Sequence, residues 1–152
     1  MIRKFFFASL IYLFFSNSVS SEIINEFKIT GNDRITNETI ILFSGYKIND
    51  NIDEDDINEI LKKLYGTLFF KNLSVKIENN ILFIEVTENP LIQSVIFKGI
   101  KKESLVERIK EIIFQKEKSS FVENKIKEDQ NRILNTLRVN GYYFSDIKTN
   151  IK

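Results

Sequence analysis

Alternation of apolar and polar positions opens the readable part of the chain. Ile23, Phe27 and Ile29 fall on one side of an extended segment, with Glu26 and Lys28 on the other, which predicts a strand with one buried face ending at Gly31. The spacing then turns helical. Thr36 is placed to cap a short helix carrying Ile40, Ile41 and Phe43, and Gly45 stands where a left-handed residue would end it. Asp53, acidic residues in the next turn, and Ile57, Ile60, Leu61 and Leu64 at i, i+3, i+4, i+7 spacing predict a second helix. Both helices are too short to stand alone, so their apolar stripes must lie on a sheet. Leu73, Val75 and Ile77 alternate with Ser74 and Lys76, and Asn79-Asn80 supplies a two-residue turn into Leu82, Ile84 and Val86. The expected unit is β-α-α-β-β, an open sheet covered on one face by two helices.

The pattern then starts again. Glu88-Asn89-Pro90 forms a compact joint, because Pro90 has no N–H to give a ladder and pushes Asn89 toward extended geometry. Val95 and Phe97 restart a strand that ends at Gly99. Ser104 with Glu107, and Ser120 with Glu123, have capping-box spacing ahead of stripes built from Leu105, Ile109 and Ile112 and from Ile126, Ile133 and Leu137. Asn140-Gly141 stops the second helix, and residues 142–151 read as a strand with Tyr143, Ile147 and Ile151 facing inward. A period of roughly 70 residues implies tandem small domains, 22–89 and 90–152. The second module is expected to lack its last strand, as in the N-terminal part of a longer protein.

Residues 1–20 have another character. Arg3 and Lys4 precede an apolar run over residues 5–15 broken only by Ser9, and Ser18-Val19-Ser20 offers small residues at the positions a signal peptidase inspects. The run is short of the roughly 20 residues a spanning helix needs, so the segment reads as a secretory signal peptide. Its loss takes the formal charge from +1 to about −1.

Near-neutrality with interspersed Lys and Glu argues against nucleic-acid binding, which needs cations gathered on one face. Lys101, Lys102, Lys116 and Lys118 are offset by Glu103, Glu107, Glu111 and Glu117. The chain has no Cys and no His, which removes the common nucleophile, base and transition-metal arrangements. The densest carboxylate group, Asp53 to Asp56, fails as a calcium loop because neither the turn Gly nor the terminal bidentate Glu falls at its required offset. It reads instead as a helix start favoured by the helix dipole. No enzyme activity and no cofactor are expected.

The order of these pieces resembles a known family. Phe27 to Ile35, Thr39-Ile40, Leu64-Tyr65 with Thr67 and Phe70, and Leu82, Ile84, Val86, Glu88, Pro90 and Ile92 are similar to the first polypeptide-transport-associated (POTRA) domain of the BamA family of outer-membrane protein assembly factors. Val95, Phe97, Gly99 and Gly141 are similar to matching positions of the next POTRA domain. Two departures stand out: Leu68 where the family usually has Gly, and Ile100 where Asn commonly follows the strand Gly. The resemblance implies an α+β fold of tandem POTRA-like modules with a three-stranded sheet. It also implies a location at the periplasmic face of the outer membrane, unfolded outer-membrane proteins and accessory lipoproteins as partners, and a membrane β-barrel missing from this chain. The strand after the second helix of such a unit lies at a sheet edge, so Leu73, Ser74, Val75, Lys76 and Ile77 are the candidate client-binding residues. Another POTRA bearer, a two-partner secretion transporter or a division-protein scaffold, is the alternative.

Overall fold

A computed structural model describes residues 21–152; the signal-peptide expectation falls on residues 1–20, outside the described residues. The elements are β1 (Glu22–Ile23), β2 (Glu26–Thr30), α1 (Asn37–Ser44), β3 (Asn51–Ile52), α2 (Glu54–Gly66), β4 (Phe70–Glu78), β5 (Ile81–Glu88), α3 (Glu103–Ile112), a 3-10 turn (Glu123–Lys125) and α4 (Ile126–Val139). The α+β fold expected from sequence is present: β2, β5 and β4 form a three-stranded sheet in that order, and α1 and α2 cover one face. β2 runs parallel to β5, and β4 runs antiparallel to it. The strand last in sequence is therefore central.

Local chemistry explains these boundaries. The Thr36 hydroxyl accepts from the Thr39 N–H at the start of α1, and Gly45 ends that helix at φ +79°. Asp53 and Asp56 form a reciprocal capping box on α2, each carboxylate taking the other residue's N–H. Asn79 and Asn80 both have positive φ (52° and 66°), the signature of the tight hairpin turn that joins β4 to β5. Leu68 also adopts positive φ, 63°, in the position where glycine was the expected residue. The Asn89 side-chain amide donates to the Leu68 carbonyl at 2.9 Å, so this turn is tied down from the joint.

Ile24, Ile40, Ile52, Ile60, Leu64, Leu82 and Ile84 are fully buried in the core under the sheet. Each such side chain contributes roughly 1.5–3 kcal/mol relative to exposure. The sequence reading misplaced one member. The first strand breaks at Ile24 and Asn25, so Ile24 rather than Ile23 turns inward, while Ile23 joins a two-residue ladder with β3. Backbone bonds from Ile24 N to Asp50 O and from Asn25 N to Asn80 O enforce that break.

Residues from Pro90 onward hold a smaller, separate core of Leu105, Ile109, Ile113 and Leu137. The expected strands at Val95 to Gly99 and at 142–151 do not form; the one ladder contact here is a bridge between Leu91 and Ser120. Val95 and Phe97 pack against the core, yet their backbones lie in no ladder. Tyr143 and Ile151, expected inward, are 70% and 63% exposed. The first half supplies the physical reason: β2 and β4 pair only with the central β5 and not with each other, and among the described residues no strand after α4 plays the part of β5. The expected capping boxes also fail. α3 starts after Lys102 and α4 after Lys125, with no side-chain cap bond at either. Gly141 does end α4, at φ +90°, and bonds from Gly141 N to Arg138 O and Tyr142 N to Leu137 O close it as a Schellman motif.

Candidate functional site: the free edge of the sheet

β4 occupies one border of the three-stranded sheet and is nine residues long, against five for β2 at the opposite border. Leu73, Val75 and Ile77 point toward the helices and pack half-buried on the core, while Ser74 and Lys76 point to the uncovered face. All five sequence-nominated residues thus lie on one strand, in two sets with different neighbours.

The hairpin fixes which backbone groups are free. A two-residue turn closes on a mutually hydrogen-bonded pair, here Glu78 and Ile81, and the register continues through Lys76 with Phe83 and Ser74 with Glu85. Ser74, Lys76 and Glu78 therefore spend their N–H and C=O groups on β5. Leu73, Val75 and Ile77 turn theirs outward.

Lysine is a usual guard of a sheet edge, but Lys76 is drawn back over the sheet. Its Nζ sits 5.4 Å from the centre of the Phe83 ring and 3.0 Å from Glu78. Lys28 on β2 approaches the same ring at 5.6 Å, so two ammonium groups flank Phe83 across all three strands. Sequence alternation assigned the faces but gave no signal for this pairing, which depends on β2 and β4 lying on opposite sides of β5.

The far end of the sheet is locked. One Glu88 carboxylate oxygen accepts the N–H groups of Asp33, Arg34 and Ile35, each at 2.9 Å, and the other faces Arg34 Nε at 3.0 Å. That second contact is ionic, since the N–H is not aligned for a hydrogen bond. Burial pushes the Glu88 carboxyl pKa up, but the three backbone donors and the Arg34 charge outweigh it and hold the group below its ordinary value. Arg34 also donates to the Asn89 carbonyl at 2.8 Å, and Asn89 N–H donates to Phe69 O at 2.7 Å. The loop after β2, the end of β5 and the turn into β4 are thereby one unit. Among the described residues, no strand lies on the side of β4 away from β5 along Val75 and Ile77.

The chain is similar to known proteins both in sequence and in fold. Residues 90–152 match the family model described as POTRA, surface antigen variable number repeat. The outer membrane protein assembly factor BamA of Neorickettsia risticii (strain Illinois) is 25% identical over 105 residues, which is 69% of this chain and 14% of that relative's length. POTRA1-2 of the periplasmic domain of Omp85 from Anabaena superposes with a TM-score of 0.54 at 14% identity, covering 88% of both chains. The N-terminal domain of Omp85 from the thermophilic cyanobacterium Thermosynechococcus elongatus gives 0.57 at 14% identity, covering 82% of this chain and 54% of the other. Residues 90–152 thus match the POTRA family model, and the chain as a whole is similar in sequence to a BamA relative, of which it spans about 14%, and in fold to the POTRA domains of Omp85.

Proposed function

We propose that this chain is the periplasmic receiving part of an outer-membrane β-barrel assembly factor. In this reading residues 1–20 export it, residues 22–89 and 90–152 are successive POTRA domains, and a membrane barrel outside this sequence inserts the clients. The clients are unfolded outer-membrane proteins, and accessory lipoproteins dock on the same region. The role is scaffolding, without catalysis or cofactor.

One observation carries the reading: β4 borders its sheet, and among the described residues no neighbouring strand pairs with the outward backbone groups of Val75 and Ile77. An extended segment adds to such a border through main-chain hydrogen bonds, which read little sequence. That suits a receptor for many clients. Val75→Pro tests it, because it removes an outward N–H and leaves the ladder to β5 intact, whereas proline at Ser74 or Lys76 breaks that ladder. The expected result is a folded protein that no longer retains an unfolded outer-membrane protein in a pull-down. Undiminished retention by a folded Val75→Pro variant contradicts the proposal.

A further inference from the structure

The outward row on β4 is blocked at one position. Tyr65, in the last turn of α2, directs its hydroxyl to the Leu73 N–H, which donates to it at 3.2 Å. Tyr65 is 44% exposed, so its ring is not locked in the core. Its hydroxyl occupies the place where the carbonyl of an added strand would accept from Leu73. Val75 and Ile77 carry no such side-chain acceptor among the described hydrogen bonds. An antiparallel guest strand therefore finds two open positions and a third already filled.

Resting on the proposed receptor role of this edge, we propose that Tyr65 sets the length and register of the guest: an extended polypeptide pairs with Ile77 and Val75 and stops there unless it displaces the Tyr65 hydroxyl from Leu73. The chemistry favours a reversible stop. A neutral hydrogen bond on an exposed amide is a modest net contribution, so a long strand displaces it and a short one does not. Clients are then selected by how many consecutive residues they hold extended, rather than by side-chain identity.

Tyr65→Phe tests this in the full chain, since it keeps the ring and deletes the acceptor. Two readouts are needed: backbone hydrogen exchange at Leu73 without guest, and fluorescence-anisotropy binding of a fluorescein-labelled ten-residue peptide of alternating apolar and polar residues. In the variant, Leu73 exchange should rise about fivefold relative to Val75, and the peptide should bind about three- to tenfold more tightly, the size of one net hydrogen bond. Unchanged Leu73 exchange overturns the proposal. Equal peptide affinity for both proteins overturns the register role and leaves the receptor reading standing. Binding to neither protein overturns the receptor reading, and the register role with it, whatever Leu73 shows.

Discussion

Gly31 and Gly99 end equivalent apolar runs and share a left-handed backbone, φ +85° and +87°, yet they sit in opposite surroundings. A Cβ built on Gly31 would lie 2.1 Å from the Val86 carbonyl oxygen of the central strand, while one on Gly99 meets nothing within 4 Å. The first half has its central strand and, among the described residues, the second half does not, which accounts for the difference in the ladders. Val95 and Phe97 are as apolar and alternating as Phe27 and Ile29, but alternation only offers a face. A strand exists when a neighbour takes its N–H and C=O groups.

The largest expected effect breaks the pair of glycines apart. Gly31→Ala should destabilise the first half by more than about 3 kcal/mol, because the methyl must push the Val86 backbone aside in addition to the conformational strain. Gly99→Ala, facing open space, should cost only the left-handed strain, about 1–2 kcal/mol. Urea unfolding followed separately for each half measures both.

Glu88 comes next. Glu88→Gln keeps the shape but removes the charge that holds three N–H donors and Arg34, and should cost about 2 kcal/mol at neutral pH. The sign with pH is fixed by the lowered carboxyl. Its stabilisation is present above the unfolded carboxylate value and is lost as pH falls through the lower folded one. The gap between wild type and variant should therefore hold from pH 7 to about 5 and shrink below the ordinary value of 4.5.

Caps sharpen the contrast at smaller scale. Asp53→Ala deletes the capping box of α2 and should cost about 1 kcal/mol. Ser104→Ala, whose hydroxyl caps nothing on α3, should stay within about 0.5 kcal/mol. Smallest of all, Tyr143→Ser on the exposed tail should leave thermal unfolding unmoved.

Legibility from sequence follows the same division. The helices, the Thr36 and Asp53 caps, the Asn79-Asn80 turn and the border position of residues 73–77 were readable because each rests on short-range chemistry or on a regular period. The Ile24 break was hidden, since long-range bonds to Asp50 and Asn80 create it. The missing ladders of the second half were hidden because the same alternation reads as strand with or without a partner. Ser104 and Ser120 had the right spacing for caps, yet α3 and α4 start elsewhere. At the candidate site, the Tyr65 contact with Leu73 joins the end of α2 to β4 across a turn, and no period or motif signals it.

The most direct test of the proposed receptor role of this edge is backbone hydrogen exchange of the full chain, alone and saturated with an unfolded outer-membrane β-barrel protein. Exchange at Val75 and Ile77 should slow at least about tenfold on binding, while Lys28 and Ile29 on the opposite border keep their rates. A bound client that leaves Val75 and Ile77 exchanging as before would contradict the account.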